Sequence, residues 1–318
     1  MNNSASSMYV DTESVRRLVS MSDAIGAVRD AFISYDAGEF EMPIRTAMSD
    51  GSFLTMNAHN SATRSAVVKS LSLDFERSPA IQGFVAYQSL GDGPMAVMDA
   101  APVTTLRTGA VVGVATDLLA RSDASVLTLI GLGAQALDQL RAVRAVRPIR
   151  SLRLVGADRA EAESFRGRFA DELDGLNTQC FESADEALTG ADVVCCATPA
   201  TNPLFKASSL PDRVHVNAIG AFRLTMRELP DELLARATVV VDEREAALEE
   251  SGEIVHAIEA GLLSAGTLQE LGSALSHGLM EQRPQTVFKS VGLAIQDWAI
   301  ARLVAERIQH TQDTQVVS

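Results

Sequence analysis

The chain has 318 residues, of which 47% are hydrophobic and 21% charged, and its formal net charge is -14 at pH 7. This length permits a large core and about two domains, and the composition excludes a disordered or fibrous protein. The acidic balance argues against nucleic acid or an anionic membrane surface as a partner, so an anionic ligand requires a local cluster of positive charge.

We expect no targeting segment, membrane span or metal site in this chain. Its first seven residues contain neither a basic nor an apolar region, so no secretory signal is expected. The apolar segment 108–120 contains Asp117 and is too short to span a bilayer. Cys180, Cys195 and Cys196 suit neither a disulfide framework nor a zinc site. We therefore expect a cytoplasmic protein with free thiols, no metal and no membrane partner.

The N-terminal part changes from helical to β patterning. Residues 11–36 show helical periodicity that ends near Gly38. Short β-prone runs follow at residues 45–48, 52–57, 66–75, 81–89 and 95–98. Turn residues separate them at Asp50-Gly51, Ser78-Pro79 and 90–94. This part predicts an antiparallel meander, and residues 104–120 return to helix.

From residue 125 to about 242, β and α patterns alternate as in a doubly wound parallel sheet. The strand candidates are residues 125–130, 151–155, 178–181, 192–197, 214–219 and 238–241. Arg141, Arg144 and Arg147 recur every three residues before Pro148 and are interpreted as a solvated helix face. A last helix over 287–308, with no strand after it, is expected to pack on the N-terminal half. The predicted fold class is α/β, with a Rossmann sheet in residues 121–289 and a β-rich α+β domain from residues 1–120 and about 290–318.

The sequence GLGAQA at residues 131–136 joins a predicted strand to an amphipathic helix. Such a turn uses its first glycine for a tight bend, its second for close approach to phosphate, and its third small residue for helix packing. Ordinary strand-to-helix turns can have the same spacing, but the flanking strand and helix favour a dinucleotide pyrophosphate site. The predicted cofactor residues of the turn are Gly131, Gly133, Ala134, Gln135 and Ala136.

The form of the dinucleotide depends on the end of the second Rossmann strand. NAD sites place an acidic residue there to bind the ribose hydroxyls. This chain has Gly156 at that position, and Arg159 just beyond favours a 2′-phosphate. Asp158 could reverse the preference. We therefore favour NADPH over NADH and place Asp158 and Arg159 at the cofactor.

Three cations in the other half of the chain are candidates for the substrate. Lys69 lies inside a predicted strand, where an inward lysine is costly without an anionic partner. The guanidinium of Arg107, early in a predicted helix, suits bidentate capture of a carboxylate. Arg45 completes the group. From sequence alone, each is as consistent with a solvated charge as with ligand binding.

Seven segments, in this order, give the chain a resemblance to the ornithine cyclodeaminase/mu-crystallin family over nearly its whole length. They are MPIR at 42–45, VVK at 67–69, LRTGA at 106–110, GLGAQA at 131–136, ADVVCCATPA at 191–200, VNAIGA at 216–221 and VDERE at 241–245. The resemblance implies a homodimer with a β-rich dimerisation domain and a Rossmann domain. It also implies that Arg45, Lys69 and Arg107 hold a substrate carboxylate. We assign Thr198 and Gly220 to the cofactor site.

The stretch GAFRLTMREL at 220–229 distinguishes the chemistries within that family. Cyclodeaminases of the family carry an aspartate where this chain has Phe222, and phenylalanine cannot transfer the protons that deamination requires. Arg223, the segment MREL at 226–229 and residues 286–297 resemble the ketimine reductase branch, from which Leu224 and Thr225 depart. Phe222 is assigned to the substrate pocket, although phenylalanine is commonly a core residue.

The resemblance therefore implies NAD(P)H-dependent reduction of a small cyclic imino acid. The expected substrates are 1-pyrroline-2-carboxylate and 1-piperideine-2-carboxylate, with L-proline and L-pipecolate as products. The alternatives are an ornithine cyclodeaminase, an amino acid dehydrogenase such as alanine dehydrogenase, and a non-catalytic NADP-dependent binding protein. Asp297, in the last predicted helix, is a further pocket candidate, and an outward-facing carboxylate is the alternative for it.

Overall fold

The computed structural model describes residues 8–48, 51–74, 81–91 and 93–316. They form two compact units, here called the terminal unit, Met1–Arg107 with Leu293–Ser318, and the central unit, Thr108–Gly292. The predicted turns at Asp50 and Ser78-Pro79, and Asp92 of the third turn, lie outside the described residues. The roles predicted for the two domains stay predictions.

The described residues form strands and helices with the following bounds. The strands are β1 Met8–Val10, β2 Phe40–Glu41, β3 Thr46–Ala47, β4 Phe53–Asn60, β5 Ser65–Leu73, β6 Ile81–Ser89, β7 Met95–Asp99, β8 Val126–Ile130, β9 Ser151–Val155, β10 Asn177–Phe181, β11 Val193–Cys196, β12 Val214–Ala218, β13 Thr238–Val241, β14 Gln269–Glu270 and β15 Gln285–Lys289. The helices are α1 Thr12–Leu18, α2 Met21–Asp36, α3 Ala100–Leu119, α4 Ala136–Val146, α5 Arg159–Arg168, α6 Ala184–Ala187, α7 Asp231–Arg236, α8 Arg244–Glu250, α9 Gly252–Glu259, α10 Leu271–His277 and α11 Ala294–Val316.

The terminal unit contains the predicted meander. Strands β4 to β7 pair antiparallel in chain order, β2 and β3 pair antiparallel with β4, and β1 joins β7 in parallel. Along β5 the side chains alternate, so that Val67, Lys69 and Leu71 face the buried side and Val68 faces outward. Helix α11 packs on this sheet and on α2, which closes the core of the unit.

The single helical segment predicted for residues 11–36 is wrong in one respect, because the structure divides it into α1 and α2. Val19 ends α1 in an extended conformation. Ser20 then caps α2, accepting the Asp23 N–H while Asp23 accepts the Ser20 N–H. This capping box satisfies backbone donors that a continuous helix would bond internally, and it starts a second helix. Helix α2 ends before Gly38, as predicted, and Gly38 has φ +76°.

The central unit is a parallel sheet in the order β10-β9-β8-β11-β12-β15-β13-β14. All six predicted strands are present, each within one or two residues of its predicted ends. The order reverses direction between β8 and β11, which is the topological switch point of a Rossmann fold. The predicted doubly wound sheet is therefore confirmed, with β14 and β15 added.

The prediction of a helix starting at residue 287 is wrong. Residues Gln285–Lys289 form β15, which is buried along its length and pairs in parallel with β12 and β13. A short apolar run buried on both faces has no period that separates strand from helix. Gly292, at φ +89°, then precedes α11, which begins at Ala294.

The solvated face predicted for three arginines holds only in part. The side chain of Arg147 is 6% exposed, and its guanidinium donates to the carbonyls of Thr116, Asp117 and Ala120 at the end of α3. It also donates to the Asp117 carboxylate over 2.9 Å. The last carbonyls of a helix have no hydrogen-bond donors within the helix. Here the Arg147 guanidinium is the donor for them.

Candidate active site

The turn after β8 requires glycine at its first position. Gly131 has φ +92°, and a Cβ there would lie 2.5 Å from the Ala197 carbonyl oxygen and 2.7 Å from Thr198 Cγ2. Both strain and crowding therefore exclude a larger residue. A Cβ at Gly133 would meet no atom within 4 Å, so that position faces open space. Ala136 is buried where α4 begins, against the core beneath the sheet.

A cleft of about 540 Å³ lies at the carboxyl ends of β8, β9 and β11. Its lining includes Gly131, Gly133 and Thr198 from the predicted cofactor residues, together with Gly156 and Glu161. Open parallel sheets bind ligands at this edge, at the switch point. Gly131 cannot carry a side chain, and open space lies beside Gly133. Both features fit a dinucleotide whose phosphates approach the main chain. The turn of residues 131–136 would hold its pyrophosphate.

The other residues predicted for the cofactor lie at the starts of α4 and α5. Ala134 and Gln135 lie in the turn before α4, and Gln135 is the N-cap residue. The carboxylate of Asp158 accepts the Glu161 N–H over 2.8 Å and thereby caps α5. Arg159 Nε lies 3.9 Å from Glu163 Oε1 on the same helix, and the Arg159 side chain is 62% exposed. These assignments stay predictions.

Gly220, after β12, approaches the segment after β11 closely. A Cβ on Gly220 would lie 2.2 Å from the Thr198 nitrogen and 2.3 Å from the Thr198 carbonyl oxygen. Only glycine permits this contact between two backbones. Thr198 and Gly220, both predicted at the cofactor, are therefore brought together at one edge of the sheet.

A buried carboxylate that the sequence analysis missed fixes both segments. Glu228 Oε1 accepts from the Thr198 N–H over 2.7 Å and the Thr198 hydroxyl over 3.0 Å, and Oε2 accepts from the N–H groups of Gly220, over 2.8 Å, and Ala221, over 3.1 Å. One side chain thus ties the ends of two parallel strands. The segment MREL at 226–229 was the available signal, but a contact between loops cannot be read from it.

Two further buried charges accompany Glu228. The Glu228 N–H donates to Glu253 Oε2 over 2.8 Å, and Lys289 Nζ lies 2.9 Å from Glu253 Oε1. Burial, and next the negative charge of Glu253, raise the pKa of Glu228 to about 7, while Lys289 opposes that rise. A group with this pKa changes its charge in the physiological range.

A second cluster of charges lies inside the terminal unit. Lys69 Nζ, on β5, is 2.9 Å from Asp297 Oδ1, on α11. Arg107 Nε, on α3, is 3.5 Å from the same oxygen, and Arg107 Nη1 donates to Gln296 Oε1 over 2.6 Å. Lys69 is 1% exposed and Asp297 is fully buried. Of the two orientations considered for Asp297, the structure shows the inward one.

The charges of the cluster act on one another. Burial lowers the pKa of Lys69 from 10.5 to about 8; Asp297 opposes this shift, while Arg107 and Arg45 add to it. The structure therefore brings Arg45, Arg107 and the carboxylate of Asp297 close enough to Lys69 to act on its charge. Asp297 Oδ2 is buried without a hydrogen-bond partner among the residues that the structure describes. Lys69 and Arg107, two buried cations beside the same carboxylate, suit an added anionic ligand.

Phe222 lies in the segment after β12 in the central unit. Its ring is half-buried and lies beneath the guanidinium of Arg223, whose Cζ is 5.5 Å from the ring centroid. A cation over an aromatic face is a favourable contact. The assignment of Phe222 to a substrate pocket stays a prediction.

Comparison with known proteins places the chain in a family. Residues 6–312 match the model of the ornithine cyclodeaminase/mu-crystallin family. The chain belongs to this family. It is 33% identical to a Δ1-pyrroline-2-carboxylate reductase of Bacillus cereus over 94% of this chain and 96% of that protein. It is 34% identical to an alanine dehydrogenase of Archaeoglobus fulgidus over 94% of each chain.

Similarity to a solved structure extends to the fold. The Δ1-pyrroline-2-carboxylate reductase of Thermococcus litoralis, in complex with NADH and L-proline, is 30% identical. It matches with a TM-score of 0.88 over 96% of this chain and 98% of that chain. The β-rich and Rossmann architecture is therefore shared along the whole length. Within the described ranges, no helix of this family member is long and apolar enough to cross a membrane.

Proposed function

We propose that the protein is an NAD(P)H-dependent reductase of cyclic ketimine carboxylates. The substrates are 1-pyrroline-2-carboxylate and 1-piperideine-2-carboxylate, and the products are L-proline and L-pipecolate. The observation that carries the proposal is the buried cluster of Lys69, Arg107 and Asp297, with the half-buried Arg45 close enough to act on the charge of Lys69. The relatives named for Δ1-pyrroline-2-carboxylate reduction, and the similar structure with NADH and L-proline, support this substrate class.

The cation group supplies the binding step. The guanidinium of Arg107 and that of Arg45 hold the substrate carboxylate, and Arg107 is oriented for this by Gln296. Such positioning fixes the ring relative to the protein and lowers the entropy cost of reaction. When bound in the cleft of the central unit, the nicotinamide supplies a hydride for the imine carbon.

Lys69 supplies the proton. The imine nitrogen must gain a proton as its carbon gains a hydride, because the product is a neutral secondary amine or its ammonium form. With a pKa of about 8, the Lys69 ammonium is a stronger acid than an ordinary lysine and remains protonated at neutral pH. Asp297 holds the ammonium in place at 2.9 Å and stabilises its charge until the transfer.

Phe222 favours reduction over cyclodeamination. A deaminase needs an acid–base group near the carbon that loses ammonia, and phenylalanine offers none. The cofactor is then consumed as a reductant rather than regenerated in each turnover. The carboxylates of Glu228 and Glu253, which are bonded to backbone or to Lys289, hold structure in the central unit instead.

We also propose that the terminal unit is the substrate-binding and dimerisation domain and that the central unit is the dinucleotide-binding domain. Phe53, Val68 and Phe84 are each 36–43% exposed on the outward face of the terminal sheet. Cross-strand register puts Phe84 opposite Ser70 and Phe53 opposite Ser72. Ser70 and Ser72 lie on the same face of β5 as Val68, so the side chains of Phe53, Val68 and Phe84 point to one side of the sheet. An exposed apolar sheet face favours association of two copies. The archaeal alanine dehydrogenase structure, with a TM-score of 0.87, is a dimer.

A second candidate function is that of an amino acid dehydrogenase. The alanine dehydrogenase of Archaeoglobus fulgidus is as similar in sequence as the reductase of Bacillus cereus. A carboxylate-binding group and a nicotinamide cleft would also serve oxidation of an open-chain amino acid.

One set of assays separates these functions. Absorbance of NADH and NADPH is followed with 1-pyrroline-2-carboxylate and with 1-piperideine-2-carboxylate. Parallel reactions contain pyruvate with ammonia, and ornithine with release of ammonia measured. We expect the cyclic imines to be reduced at least tenfold faster than pyruvate. Faster reduction of pyruvate would establish the dehydrogenase, and ammonia release from ornithine at the rate of imine reduction would establish a cyclodeaminase.

A further inference from the structure

The acidic side chain missing from the end of β9 is replaced in space by one from α5. A Cβ built at Gly156 would lie 2.8 Å from Glu161 Oε2 and 3.0 Å from Glu161 Cβ. The Glu161 carboxylate thus occupies the space that a side chain at Gly156 would fill. Its Oε2 accepts the Ala157 N–H over 2.6 Å, which fixes it at the strand end.

The Glu161 carboxylate faces the cleft. Glu161 lines the cleft together with Gly156 and Ala157, and Glu182, just after β10, lines it too. At the end of the second Rossmann strand an acidic side chain accepts hydrogen bonds from ribose hydroxyls. The same position is unfavourable for a 2′-phosphate, because two carboxylates would face its negative charge.

The cation expected to bind a 2′-phosphate lies beside another carboxylate of its own helix. Arg159 lies in the first turn of α5, and its Nε pairs with Glu163 Oε1, one helical turn further along. Its side chain is 62% exposed. The sequence-based preference for NADPH depended on Gly156 being an open position with Arg159 beside it, and Glu161 removes that condition.

We propose that Glu161 binds the adenosine ribose hydroxyls of the cofactor and makes the protein prefer NADH to NADPH. The inference rests on the proposed function for its cofactor site, and it concerns the form of the dinucleotide rather than the reaction. The Glu161 carboxylate accepts from the ribose through the oxygen that Ala157 leaves available, so the N-cap geometry of α5 presets the site.

The test is calorimetric binding of NADH and NADPH, without substrate, to the wild type and to Glu161→Gln and Glu161→Ala. We expect the wild type to bind NADH at least tenfold more tightly than NADPH. Either variant should narrow that ratio at least fivefold. Asp171→Asn, which changes an exposed carboxylate three residues beyond α5, is the matched control and should keep the wild-type ratio. Thermal unfolding of each variant verifies that it is folded.

The outcomes separate this inference from the proposed function. Equal or tighter binding of NADPH by the wild type would overturn it, as would an unchanged ratio in both folded Glu161 variants. Binding of neither dinucleotide would overturn the cofactor site and the inference together. NADH preference that depends on Glu161, without any reduction of cyclic imines, would support the inference and refute the proposed reaction.

Discussion

Lys69 and Asp297 form an ion pair whose Nζ and Oδ1 atoms are 2.9 Å apart, and neither side chain is more than 1% exposed. The two residues are 228 positions apart in sequence. A buried ammonium is costly unless an opposite charge accompanies it, and a buried carboxylate is equally so. Each residue therefore compensates the other's charge in the protein interior. Arg107 lies beside the same carboxylate.

The pair predicts a specific pH dependence of catalysis. Because Lys69 has its pKa lowered to about 8 and acts in its protonated form, kcat/KM should fall as pH rises through about 8. In Asp297→Asn the stabilising charge is lost, the pKa of Lys69 falls further, and the declining limb should move down by about one unit or more. A pH–rate profile between pH 6 and 10 measures the declining limb of the wild type and that of the variant. A limb that stays in place in the variant would contradict the role of Lys69 as proton donor.

Replacing Arg107 should separate substrate binding from cofactor binding. Arg107→Ala removes the guanidinium that is proposed to hold the substrate carboxylate, and we expect kcat/KM to fall at least ~100-fold. The Kd for the dinucleotide should change less than about twofold, since the cleft belongs to the central unit. Arg17→Ala, at a surface arginine of the terminal unit whose side chain is 67% exposed, is the control. Unchanged catalytic efficiency in Arg107→Ala would exclude Arg107 from the site.

Glu228 should make stability depend on pH in the opposite sense to an ordinary surface carboxylate. Its pKa in the folded protein is about 7, above the usual 4.5, so the folded state binds the proton more tightly than the unfolded one. The stabilisation is complete below about pH 4.5 and is lost as pH rises through about 7.

Glu228→Gln removes this titration, so the free energy of unfolding of the wild type should fall relative to that of the variant as pH rises through about 7. Urea unfolding at intervals from pH 4.5 to 8 measures the difference. Glu232→Gln, in the first turn of α7, is the control variant. Its free energy of unfolding should change with pH as that of the wild type does. A constant difference between wild type and Glu228→Gln would show that Glu228 does not titrate in this range.

Arg147 should contribute far more to stability than its neighbours in sequence. Arg147→Ala leaves the carbonyls of Thr116, Asp117 and Ala120 without the guanidinium, and we expect a loss of about 2–3 kcal/mol in the free energy of unfolding. The exposed Arg150, replaced by alanine, should change it by less than about 0.5 kcal/mol. Chemical denaturation compares the two. Equal effects would mean that the end of α3 does not depend on Arg147.

The outward face of the terminal sheet should hold the dimer. Phe84→Glu places a charge on the apolar face that Phe53 and Val68 share, and desolvating it on association is costly. Light scattering after size exclusion should give the wild type twice the 33.9 kDa mass of the chain and the variant a single chain. Met280→Glu, at a residue 69% exposed in the central unit, should remain dimeric. A monomeric wild type would refute the proposed assembly.

The sequence by itself determined the parallel sheet, the meander and the glycine turn, because strand periodicity, turn residues and a glycine at positive φ are local properties. Gly131 is an example, since the conformation it adopts excludes other residues wherever the chain folds this way. The family resemblance also came from contiguous segments. The strand β15 escaped detection because a fully buried strand carries no alternation that distinguishes it from a helix.

Only the tertiary structure decided which charged groups meet. Glu161 lies beside Gly156, Arg147 lies beneath the end of α3, Glu228 joins the segments after β11 and β12, and Asp297 pairs with Lys69. A charged side chain is stable in a protein interior only with its partner, and that partner comes from a distant part of the chain. Spacing along the sequence contains no record of such contacts, so they depend on how the elements pack.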